Sequence, residues 1–144
     1  MPTTQAISPR RFRKTGTSNT THVAIIGAGR GGTALMEVFA ADPLVQIVGV
    51  AEIKASAPGI TLARRLNIPV TRDYRQLLDL EHVHLLIDVS GNAKVWESLQ
   101  DFHRMGVTII GGASAKFMWQ LIEARIRATA EIEKSLNKYQ SLYR

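Results

Sequence analysis

His22-Val23-Ala24-Ile25-Ile26-Gly27-Ala28-Gly29-Arg30-Gly31-Gly32 occupies residues 22–32, and Val45-Gln46-Ile47-Val48-Gly49-Val50-Ala51-Glu52 occupies residues 45–52. The first stretch is an apolar strand that runs into G-x-G-x-x-G through Gly27, Gly29 and Gly32. The second is another apolar strand, ending on an acid twenty residues beyond Gly32. Each part has its own duty toward a dinucleotide. Gly27 permits the tight turn, Gly29 puts no side chain between backbone and pyrophosphate, and Gly32 lets the next helix sit against the sheet. Backbone N–H groups at that helix start, aided by its dipole, face the phosphates. Arg30 and Gly31 lie within the same turn. Glu52 stands where a carboxylate would accept the adenosine ribose hydroxyls, which favours NAD; Arg30 or Lys54 could instead meet a 2′-phosphate, so NADP stays open.

Working outward, strand and helix alternate. A helix is expected over Arg30–Ala41, with Leu35, Met36, Val38 and Phe39 as its apolar face, stopping at Asp42-Pro43. Ala57-Pro58-Gly59 is a turn before a second helix that faces Ile60, Leu62, Ala63 and Leu66 inward. A short strand at Ile68–Thr71 precedes Asp73, which can cap a helix carrying Leu77 and Leu78. Val83–Val89 is apolar except for His84 and Asp88, as suits a central parallel strand. A helix over Ala93–Met105 and a strand Val107–Ile110 follow. This alternation predicts an α/β fold, a doubly wound parallel five-stranded sheet in the order 3-2-1-4-5. After it, Ser114 can cap a long C-terminal helix that meets no Pro or Gly through Arg144. Ile122, Thr129, Leu136 and Tyr143 repeat every seven residues along it, with Arg125, Ile132 and Tyr139 offset by three. Such a heptad predicts pairing with a second copy, or passage into a further domain, although Thr and Arg weaken it.

The chain has 144 residues, enough for one domain that buries roughly two-thirds of its unfolded surface. Three regions are expected: a basic disordered leader over 1–21, a dinucleotide-binding domain over 22–112, and the helix over 113–144. Of the net charge of +6, the leader supplies Arg10, Arg11, Arg13 and Lys14 with no acid, leaving 14 basic against 12 acidic residues elsewhere. The pI near 10.1 therefore describes the leader more than the folded body, and nucleic acid is a poor fit to that body. Ser8-Pro9-Arg10-Arg11-Phe12 has a twin-arginine flavour, but polar residues follow where an export signal needs an apolar run. No apolar run approaches the ~20 residues of a membrane span. Without cysteine there is no disulfide and no thiolate chemistry, which fits a cytoplasmic protein.

Two further turns belong to the expected ligand edge, Ser90-Gly91-Asn92 after strand four and Gly111-Gly112-Ala113-Ser114 after strand five. Both are small and hydrogen-bonding, suited to a ribose or nicotinamide, and equally suited to plain strand-to-helix turns. Lys94 and Lys116 stand near that edge but read more readily as solvated helix lysines than as catalytic ones. Asp88 reads as a buried hydrogen-bonded acid. His22, His82, His84 and His103 form no metal-ligand spacing, and there is no G-x-S-x-G elbow or Walker lysine. Trp96 and Trp119 read as packing residues.

The glycine turn, Val48-Gly49-Val50-Ala51-Glu52 and Asp88-Val89-Ser90-Gly91-Asn92 together resemble the cofactor domain of the Gfo/Idh/MocA oxidoreductases, homoserine dehydrogenase, dihydrodipicolinate reductase and acylating acetaldehyde dehydrogenase. The resemblance covers residues 22–112 and implies NAD(P) binding. Enzymes of that group carry a substrate domain after the dinucleotide fold, whereas one helix follows here, and the acetaldehyde enzymes need a cysteine. The Gly-Arg-Gly-Gly turn, Gly111-Gly112-x-Ser114-Ala115-Lys116 and the long helix more closely resemble the N-terminal Rossmann-type domains of some bacterial sensor histidine kinases. Three functions follow as expectations. They are a non-catalytic NAD-type sensing module that dimerises through its last helix, an oxidoreductase subunit completed by a partner, and a scaffold that has lost its ligand.

Overall fold

The computed structural model describes residues 19–102 and 106–143. The basic leader up to residue 18, and His103, lie outside them. Ten elements follow in the order β1 (Thr21–Ile26), α1 (Arg30–Ala41), β2 (Val45–Ala51), α2 (Pro58–Arg65), β3 (Val70–Thr71), α3 (Arg75–Leu78), β4 (Leu85–Asp88), α4 (Ala93–Gln100), β5 (Thr108–Ile110) and α5 (Gly112–Leu142). The strands form one sheet in the order β3-β2-β1-β4-β5 with every pair parallel, as the alternation predicts.

The central strand is apolar on both sides because helices cover both sides. Val23 and Ile25 join Leu35, Met36, Ile60 and Ala115 on the face covered by α1, α2 and α5. Ala24 and Ile26 join Leu77, Leu86 and Leu99 on the face covered by α3 and α4. Such alternation with both faces buried is the mark of a central parallel strand. Strand β2 adds a bulge: Val23 pairs with Ile47 but Ala24 pairs with Gly49, so Val48 has no partner on β1. One extra residue reverses the side-chain alternation. As a result Ile47 and Val50, three apart, lie on the same face of the sheet.

Several expected boundaries move. Strand three shrinks to Val70–Thr71, and strand four to Leu85–Asp88. Leu66, expected to face inward, is 39% exposed because α2 ends at Arg65. The expected helix over 93–105 ends at Gln100, where Asp101 caps it and the Phe102 N–H turns back to the Leu99 carbonyl. Asp73 lies one residue outside the cap of α3, yet its carboxylate still accepts from the Arg75 N–H at 3.0 Å. Ser114 does not cap α5. Its cap is Gly111, three residues earlier, where Trp96 packs so closely that a Cβ would lie 2.2 Å from the ring.

α5 is 31 residues, about 46 Å long. Ala115 is buried and Met118, Trp119 and Ile122 pack on the core, whereas every residue from Arg127 to Tyr143 is exposed. No helix among the described residues is long and apolar enough to cross a membrane.

Candidate functional site

Register brings the candidate residues to one edge. Ile26, the last residue of β1, is level with Ala51 of β2 and Asp88 of β4, and Ile87 is level with Ile110 of β5. The Gly27 turn is therefore flanked by Glu52 on one side and by Ser90-Gly91-Asn92 on the other, with Gly111-Gly112 beyond. This is the carboxyl edge of a parallel sheet, at the point where the strand order reverses, where ligands of such sheets bind.

The glycines of the turn differ in what requires them. Gly27 has φ +105, and a Cβ there would lie 2.9 Å from the Ser90 backbone. A Cβ on Gly32 would come within 1.9 Å of the Gly27 carbonyl oxygen, and one on Gly31 within 3.1 Å of the Trp119 indole. Packing alone explains these three. Gly29 is different: its φ of −78 suits any residue, and a Cβ would meet nothing within 4 Å. It caps α1 without a side-chain hydrogen bond, so the first-turn N–H groups of α1 receive no side-chain acceptor from it. Open space beside Gly29, at a helix start without a side-chain cap, leaves room for an anion where the helix dipole favours one. Thr33 steadies the turn, its N–H and hydroxyl both donating to the Gly29 carbonyl at 2.9 and 2.7 Å.

Glu52 is held by its backbone: its N–H donates to the Thr71 carbonyl at 2.9 Å, and the next residue's N–H donates to its own carboxylate at 3.2 Å. Arg72 donates to the Ile53 carbonyl at 3.2 Å, which brings a cation to the turn after Glu52. The turn after β4 is locked from within. The Asp88 carboxylate accepts from the Ser90 N–H at 3.0 Å and the Ser90 hydroxyl accepts from the Asn92 N–H at 3.2 Å. Asn92 caps α4 by accepting from the Lys94 and Val95 N–H groups. Asn92 thus has a structural duty that its place directly before Ala93-Lys94-Val95 already signals. Gly91 has φ +68 with open space around it. Ser114, Lys94 and Lys116 are exposed.

Arg30 turns toward α5 instead of standing free for a 2′-phosphate. Its Nε donates to both carboxylate oxygens of Glu123 at 3.1 Å, its Nη2 closes the pair, and the guanidinium lies 5.9 Å from the centre of the Trp119 ring. Each partner stabilises the other's charge. The hydrogen bond to Glu123 raises the Arg30 pKa, and the hydrogen bond from Arg30 holds the Glu123 carboxyl below the usual carboxylate range, with Arg127 adding a smaller push the same way. Nothing in the sequence marks Glu123 as a partner 93 residues away.

At the opposite edge of the sheet the His22 N–H donates to His84 Nδ1 at 2.9 Å, and the two rings lie 5.1 Å apart. Among the described residues no group of three or more His, Cys, Asp or Glu could hold a metal ion.

No protein-family model matches the chain, and no curated protein matches it. Solved structures do. A myo-inositol dehydrogenase from Corynebacterium glutamicum superposes with a TM-score of 0.55 at 17% identity, covering 64% of this chain and 27% of its own. A protein described as an NADPH-dependent oxidoreductase from Desulfitobacterium hafniense superposes with a TM-score of 0.54 at 22% identity, covering 65% of this chain and 27% of its own. The chain spans about a quarter of the length of these structures. At these identities the likeness is one of fold: this chain has the Rossmann-like α/β architecture that both contain.

Proposed function

We propose that the chain is a cytoplasmic, non-catalytic module that binds an NAD-type dinucleotide and passes its occupancy on through α5, with a second copy paired along the outer part of that helix. Gly29 carries the proposal. The fold has no packing use for a glycine there, whereas a pyrophosphate laid against the first turn of α1 would. Under this reading Gly27, Gly29, Arg30, Gly31 and Gly32 form the phosphate turn. Glu52 takes the adenosine ribose, and Ser90, Gly91, Asn92, Gly112 and Ser114 lie toward the nicotinamide end. For α5, the support is the exposed run Ile132, Leu136, Tyr139 and Tyr143 at heptad spacing.

A second reading, an oxidoreductase whose substrate groups come from elsewhere, is favoured by the names of the structural neighbours and by the quarter of their length that this chain spans. It predicts hydride transfer only when a substrate-binding partner is supplied. The test of binding is calorimetric titration of the protein with NAD, NADH, NADP and NADPH, with Gly29→Asp as control. Micromolar affinity that disappears in the variant is the expected result. No heat with any of the four would leave a scaffold whose glycines serve only the fold.

A further inference from the structure

The Arg30–Glu123 pair joins the first residue of α1 to the first half of α5. Arg30 follows Gly29 directly, so its guanidinium starts from the same turn that faces the open space. The Arg30 side chain is 73% exposed and that of Glu123 only 18%. Trp119, one helical turn before Glu123 on the same side of α5, covers Gly31, where a Cβ would make a tight 3.1 Å contact with the indole. Thus α5 grips the phosphate turn at two adjoining points, one apolar and one ionic.

A guanidinium fork matches a carboxylate and a phosphate equally well, so both acceptors compete for the same N–H donors. We propose that the Arg30–Glu123 bridge is a clasp opened by ligand: a dinucleotide's pyrophosphate takes the Arg30 fork from Glu123 and so loosens α5. This rests on the reading of the turn as a dinucleotide site. The released carboxylate has a second partner at hand, since Arg127 lies four residues on along the same helix and already acts on it. Glu123 therefore has two arrangements, paired across to α1 or paired along α5, and the ligand biases the choice because it binds only one of them well. An ion pair open to water on its Arg30 side sets the scale: the clasp changes an equilibrium a few-fold, not a hundredfold.

The experiment titrates NAD into wild-type, Glu123→Gln, Arg30→Gln and doubly substituted proteins, following Trp119 fluorescence and checking each protein by thermal melting. The Trp119 signal is assigned by its loss in Trp119→Phe. The clasp predicts that Glu123→Gln binds NAD about threefold more tightly than wild type. Arg30→Gln should bind about tenfold more weakly, and in its background Glu123→Gln should have no further effect. Wild-type binding with the affinity of Glu123→Gln unchanged or reduced, or with the two substitutions additive, overturns the clasp and leaves the dinucleotide reading standing. If calorimetry finds no dinucleotide binding by the wild type, both fall together.

Discussion

The glycine turn after β1 and the outer part of α5 are opposites. In the turn, Gly27, Gly31 and Gly32 are each pressed by a neighbour at or near contact distance, and only Gly29 faces open space. Along α5 beyond Ile126 every described side chain is exposed, among them Ile132, Leu136, Tyr139 and Tyr143. A residue type imposed by packing in the turn says little about ligands, while one that packing does not need says more. On α5 the same logic applies to apolar residues with nothing of their own fold to cover.

The sharpest way to break the comparison is to add one carbon to the turn. Gly32→Ala drives a methyl into the Gly27 carbonyl, which should cost about 3 kcal/mol and lower the melting temperature by about 10 °C or more. A melt unchanged from wild type would mean that the turn yields to a methyl without cost. Gly29→Asp should melt within about 2 °C of wild type yet lose dinucleotide affinity at least about 100-fold, close to 2.7 kcal/mol. A large loss of stability there would remove the distinction between Gly29 and its neighbours. Trp119→Ala, which uncovers Gly31 and takes the ring from beside Arg30, should cost about 2 kcal/mol, below the range for a fully buried tryptophan. Thermal melting measures it.

On the other side of the comparison, ending the chain after Ile126 should leave the melting temperature almost unchanged while sedimentation reports a monomer in place of a dimer. A shortened protein that still sediments as a dimer would move the pairing surface off α5. The smallest effect belongs to pH. The ion pair lowers the Glu123 pKa when folded, so its contribution is present above the ordinary carboxylate pKa and is lost as pH falls through the lowered value. Protection of the α5 amides from hydrogen exchange, taken relative to the intrinsic rate at each pH, should therefore stay constant from neutrality to about pH 5 and fall only in stronger acid. A fall between pH 7 and 6 would point to another titrating group.

What the sequence reveals follows the range of the interactions. β1, α1 and β2 are legible because the apolar runs, the glycine spacing and Glu52 all act within about thirty residues. The strand order follows from alternation and crossover handedness. The bulge at Val48 is hidden because Val45–Ala51 is apolar on both faces, so no alternation is there to be interrupted. The start of α5 is misjudged because Ser114 has the chemistry of a cap, while Trp96 packing over Gly111 decides where the helix begins. Trp119 over Gly31, and Glu123 with Arg30, depend on α5 returning to α1 across most of the chain, which no local pattern encodes.

The length of α5 turns a small event into a large one. Leu142 lies nineteen residues beyond Glu123, about 28 Å along the axis. If the helix pivots by about 10° at that point, its tip sweeps about 5 Å, the span of one helical turn. A rod held toward one end is a lever, and here its fulcrum lies beside the glycine turn. A loss of contact no larger than one ion pair would then carry the far end of α5 sideways by about that distance.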